Sequence, residues 1–146
     1  MQYVKNELQT IAAGGSFVFD PRVGCCCACN GGVTHRPGSG IFTLAAGRTY
    51  RVGFKANIAL PTGATVGPIA VALAIDGEAV PVTRAIVTPA AVGDFWEVSF
   101  AYELTVPCFC CQNVSVENVL PDADPATVAV PIEGQNAIIT IDPVQR

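Results

Sequence analysis

The sequence predicts an all-β sandwich, and three observations carry that expectation. Apolar residues alternate with a period of two along most of the chain, the spacing of strands rather than helices. Glycine and proline, 14 and 11 of 146 residues, interrupt it at short intervals, as expected for many short strands joined by turns. The runs of Leu, Glu, Lys and Gln that helices prefer are missing, so no helix longer than a turn or two is expected.

The elements follow in order. Phe17-Val18-Phe19 is a short strand closed by Asp20-Pro21, because proline cannot donate to a ladder. VGCCCACNGGV, with Cys25, Cys26, Cys27 and Cys29, reads as a glycine-flanked loop, and Thr34 to Gly40 as more loop before the strand Ile41 to Leu44. The centre of the chain is Arg48 to Gly77. Tyr50, Val52, Phe54, Ala56 and Ile58 alternate there with Arg51, Gly53, Lys55 and Asn57, a strand with one wet face. Beyond Pro61, Gly63 and Gly67, Ile69, Val71, Leu73 and Ile75 alternate with Ala70, Ala72 and Ala74. Neither face of this second strand is polar. The large side chains are expected to cover the core, and the alanines to meet a neighbouring subunit or to lie under a loop of the same chain. Asp76-Gly77 marks a hairpin turn, followed by a strand from Val80 to Val87. Trp96, Val98, Phe100, Tyr102, Leu104 and Val106 form one side of the longest strand, its most aromatic face. The turn Cys108-Phe109-Cys110-Cys111 leads to the strand around Val114 and Val116. Short strands through Val128 to Ile132 and Ala137 to Ile141 end the chain.

Charged residues are 14% of the chain and hydrophobic ones 51%, against about 25% charged in a typical soluble domain. Such a chain is expected to hide surface against copies of itself or a partner. The net charge is −4 with the basic residues scattered, which argues against a nucleic-acid partner. The first ten residues lack a basic start and apolar run, and no long apolar stretch appears, so neither a secretory signal nor a membrane span is expected.

All seven cysteines lie in the two clusters. Disulfides within or between the clusters, a zinc site of Cys26, Cys29, Cys108 and Cys111 as two C-x-x-C pairs, and free thiols all remain open. The odd count leaves one thiol able to link neighbours. Thiol-redox catalysis needs a helix start to activate the thiol, and none is expected. His35, the only histidine, reads as a solvated loop residue, and Asp122 and Asp124 as a solvated turn rather than a calcium site. The phosphate-loop, nucleophile-elbow and zinc-protease motifs do not occur.

The order from Gly40 onward, Ile41-Phe42-Thr43-Leu44, Gly47 to Val52, a glycine-rich crossing into Ile69 to Ile75, Asp76-Gly77, the aromatic Trp96 to Val106 strand and Val114 to Asn118, resembles the trimeric jelly rolls of the tumour-necrosis-factor and complement type. It looks most like their phage capsid-decoration or head-fibre and bacterial spore-surface branch. The resemblance implies a jelly-roll β-sandwich of about eight to ten short antiparallel strands over residues 40–146. Residues 1–39 would supply an amino-terminal strand and a cysteine-rich anchoring loop. It further implies a non-enzymatic homotrimer without a cofactor, packed through its amino-terminal segments and sheet faces, with Ala70, Ala72 and Ala74 at the contact. Such a subunit would be assembled in the host cytoplasm and seated on a major capsid protein at the virion surface. No Gly-X-Y stalk precedes the domain, a departure from collagen-tipped spore proteins. Two other functions stay open, a glycan- or host-surface-binding module with Phe109 its one loop aromatic, and a disulfide-linked spore-surface subunit.

Overall fold

The computed structural model describes residues 1–20, 31–124 and 126–145. Its strands are β1 Gln2–Lys5, β2 Gln9–Ile11, β3 Val33–His35, β4 Phe42–Leu44, β5 Thr49–Ala59, β6 Ile69–Ile75, β7 Glu78–Ala79, β8 Ala85–Val87, β9 Trp96–Thr105, β10 Gln112–Val119 and β11 Ile132–Pro143. They form two antiparallel sheets, the jelly-roll sandwich that the strand order implied. One sheet runs β1-β11-β5-β9 with β2 also on β11, and the other β3-β4-β10-β6-β7 with β8 also on β6. The core between them holds the fully buried Phe17, Phe19, Phe42, Tyr50, Ile58, Leu73 and Ile139.

Residue 40 is not a structural boundary. β1 and β2 pair with β11, and β3 pairs with β4, so the described part of residues 1–39 belongs to both sheets. Phe17 and Phe19 are buried, but the short strand expected there is not formed and the stretch only bridges to β10, with Ser16 opposite Glu117.

Three other expectations are corrected. The expected strand from Val80 to Val87 is broken, since Pro81–Thr83 is a 3-10 turn. The cause is Thr83, whose buried hydroxyl accepts the Leu73 N–H at 2.9 Å and donates to the Val80 carbonyl at 2.8 Å. The side chain thus does the work of a ladder bond for β6. Thr83→Val is expected to strand the Leu73 N–H and to cost about 1–3 kcal/mol. The denaturant midpoint should fall while the m-value holds.

The two expected closing strands are instead one. β11 runs through Gly134, and the stretch before Ile132 is not a strand. Gly134 reads in sequence as a break, yet here it makes room, because a Cβ at this position would run into the Phe17 ring. The irregularity comes later: Gln135 faces Asn57 while Ile138 faces Lys55, three steps against two. The extra residue is a β-bulge at Asn136, whose φ is +51°.

On β9, Val98 and Leu104 are buried, but Trp96 is 49% exposed. β9 is the edge strand of its sheet, so the first residue of its aromatic face overhangs the core.

Candidate functional site

Ala70, Ala72 and Ala74, expected at a subunit contact, have no exposed surface in the single chain. Their partners in register are Val119 and Ile86 beside Ala70, Glu117 beside Ala72, and Ser115 and Ala79 beside Ala74. Of these flanking residues Val119, Ile86, Glu117 and Ser115 reach beyond a methyl group, and cross-strand neighbours lie only about 5 Å apart. The alanines therefore have no surface to give to a partner.

The opposite sheet presents a different outer face. From β5 it carries Arg51, Gly53, Lys55 and Asn57, and the register places Glu103, Ala101, Ser99 and Glu97 of β9 beside them. From β11 come Asp142, Thr140 and Ile138, and Gln2 and Val4 of β1 extend the face to the amino terminus. Its centre is small, with Gly53 between Ala101 and Thr140 and open space where a Cβ would stand. Charges sit toward its ends: Arg51 lies between Glu103 and Asp142 in register, and Lys55 pairs with Glu97 at 3.0 Å.

The turn from β9 to β10 caps one end of the sandwich. Cys108, Cys110 and Cys111 in it are exposed and free. Cys25, Cys26, Cys27 and Cys29 lie outside the described residues, and with them half of the Cys26, Cys29, Cys108, Cys111 set. The near flank of that first cluster is described. A Cβ on Gly32 would meet Ala45 and Arg48, and one on Gly47 would stand 3.6 Å from the Cys108 sulfur, so this flank and the second cluster share one end of the molecule. Among the described residues no group of three potential metal ligands converges.

His35 is not a solvated loop residue. It lies on β3, stacked on Phe42 at 4.3 Å and 16° and against Tyr3 at 4.9 Å. Its Nε2 is 3.0 Å from the Ser39 carbonyl, and burial pushes its pKa below the ordinary histidine value. Sequence spacing gave no sign of this, because the ring's neighbours come from both ends of the amino-terminal third. Asp122 and Asp124 build their own loop: Asp122 Oδ1 accepts the Asp124 N–H and the Thr127 hydroxyl, and Asp124 Oδ1 accepts the Ala126 N–H. These are Asx turns. Phe109 is 88% exposed.

A cleft of about 300 Å³ opens where Ser16, Ile41, Asp76, Asn113, Ser115 and Glu117 meet. Its carboxylates are held from within, since Asp76 Oδ1 accepts the Asn113 N–H at 2.9 Å and Glu117 Oε1 accepts the Ser115 hydroxyl at 3.0 Å. Sequence reasoning did not single these residues out, for they come from four distant stretches.

Two solved structures share this architecture over nearly the whole chain. The globular domain of a zebrafish complement 1qA protein is 13% identical, with 99% of this chain and 96% of that chain covered at a TM-score of 0.64. An Eiger TNF from S. frugiperda is 10% identical, with 99% and 90% covered at 0.69. At such identities the likeness is one of fold alone: this chain shares the jelly-roll architecture of those two domains. A carbohydrate-binding module, Xyl-CBM35 in complex with a glucuronic acid containing disaccharide, superposes at a TM-score of 0.41, too loosely to bear on the site. No protein-family model matches the sequence, and no curated protein does.

Proposed function

We propose that this chain is a non-enzymatic structural subunit that forms a homotrimer through the outer face of the β1-β11-β5-β9 sheet and decorates a phage capsid, seated on the major capsid protein. The observation that carries the reading is the shape of that face. Its centre is built from Gly53, Ala101, Ser99 and Thr140, with the amino-terminal strand at its margin. Small side chains let a second sheet approach closely, and charges of both signs near the ends of the face can fix the register between copies. Low overall charge supports the same reading, as does the fold shared with the complement and TNF domains.

Gly53 offers a clean test, because its φ is not in the left-handed region and nothing lies within 4 Å of an added Cβ. Gly53→Arg should leave the fold intact. The wild-type chain is expected to sediment as a trimer at micromolar concentration and the variant as a folded monomer. A wild-type monomer would end the trimer reading, and a trimer unaffected by the arginine would move the contact elsewhere. A neighbouring gene for a major capsid protein is expected, and a spore operon in its place would favour the spore-surface reading.

The cleft favours a second reading, a glycan-binding module. It offers two carboxylates held in place, one amide and the exposed side chain of Ile41, a polar set beside an apolar surface of the kind that fixes small ligands. Binding of neutral glycans that Asp76→Asn weakens would support it.

A further inference from the structure

We infer that the Cys108–Cys111 turn is a covalent docking point at which two copies of this chain join through a disulfide. The turn projects from firm footings. Gly47 N–H donates to the carbonyls of Val106 and Pro107, while Asp76 accepts the Asn113 N–H on its carboxylate and donates its own N–H to the Asn113 carbonyl. Between those footings three thiols stand in solvent within four residues, around a phenylalanine that is 88% exposed.

These thiols cannot satisfy one another. Cys110 and Cys111 are neighbours, so their Cα atoms lie about 3.8 Å apart, short of the roughly 4.4–6.8 Å that a disulfide spans. If Cys108 bonds either of them, the third remains free. Within the turn one thiol is therefore always left over, and a second copy brings the same turn to meet it. Turn against turn is a self-complementary contact, which also takes the Phe109 rings out of water. The bond forms by thiol–disulfide exchange with a small disulfide such as oxidised glutathione. One thiolate attacks it to give a mixed disulfide and one reduced glutathione, and the second copy's thiolate displaces the other. Two thiols are oxidised to one disulfide, and one glutathione disulfide is reduced to two thiols.

The test uses the full chain, purified reduced and treated with oxidised glutathione. Non-reducing electrophoresis and intact mass are expected to show a species of twice the chain mass, reversed by dithiothreitol, with peptide mapping linking the 108–111 segment of one copy to that of the other. The triple variant Cys108→Ser, Cys110→Ser, Cys111→Ser should abolish the doubling without moving the melting temperature, and Phe109→Ser should slow it several-fold. The inference is overturned if only glutathione adducts form, or if these cysteines map to bonds within one chain, including bonds to Cys25, Cys26, Cys27 or Cys29. It stands apart from the trimer, because Gly53→Arg should form the linked pair as well as the wild type does.

Discussion

Asn118→Ala is expected to lower the unfolding free energy by about 2–4 kcal/mol. The residue is 3% exposed, and its Nδ2 donates to the carbonyls of Ile11 and Ala12 at 3.3 Å each and of Val130 at 2.7 Å. Alanine removes the donor and leaves the acceptors behind. A buried acceptor without a partner costs about 1–3 kcal/mol. The Ala12 carbonyl retains the Gly15 N–H, which keeps the total below the sum of three losses.

The geometry also says where the damage should appear. The Asn118 backbone is bonded to Gly14 and Gly15, and the next bond along binds the Phe17 N–H to the Val116 carbonyl. Asn118 thus fastens the end of β10 to the segment that carries Phe17 into the core. Hydrogen exchange in the variant should quicken first at Gly14 and Phe17, ahead of global unfolding. Unchanged protection there, with stability within a few tenths of a kcal/mol of wild type, would show that water replaces the amide.

How much of this was legible in the sequence depends on where each element gets its cover. β5, β6, β9 and β10 alternate strongly because each has one face on the core, and that pattern is local. β1 was not legible: in Gln2–Lys5 only Tyr3 is buried, and the apolar Tyr3 and Val4 are adjacent, so they show no period of two. β3 was hidden for the same reason, with Val33 its one buried residue. The alanine face of β6 was correctly read as dry, but composition cannot tell cover by one's own chain from cover by a neighbour. In the fold, the paired strands on either side supply it. Gly53 was legible only as part of the wet face, because a glycine within a strand reads as a weakness, whereas its meaning lies in the flat surface that β9 and β11 make around it. The cysteine turn was legible as a turn, but its exposure was not, since three thiols in four residues look equally suited to burial and to water.

Phe42→Ala is expected to have the largest effect on the core, about 3–5 kcal/mol, and to change how stability responds to acid. The Phe42 ring is fully buried and meets Tyr3 at 4.8 Å, Phe19 at 5.5 Å and His35 at 4.3 Å. Tyr3 belongs to one sheet and Phe42 to the other, so this cluster closes the sandwich. In the wild type, burial holds the His35 pKa below its ordinary value, and the unfolded chain binds a proton near pH 6.5 more readily than the folded one. The sign follows from linkage: His35's contribution is complete above about pH 6.5, declines as the pH falls toward the folded-state pKa, and is constant below it. Phe42→Ala opens the imidazole to water and removes the cause of the shift. The variant should therefore be less stable at pH 7 and lose less of what remains on acidification through this window. His35 is the only histidine, so its ring resonance can be followed by NMR titration without ambiguity. A wild-type ring that titrates at or above the ordinary histidine value would overturn the account, as would a variant whose ring titrates where the wild type's does.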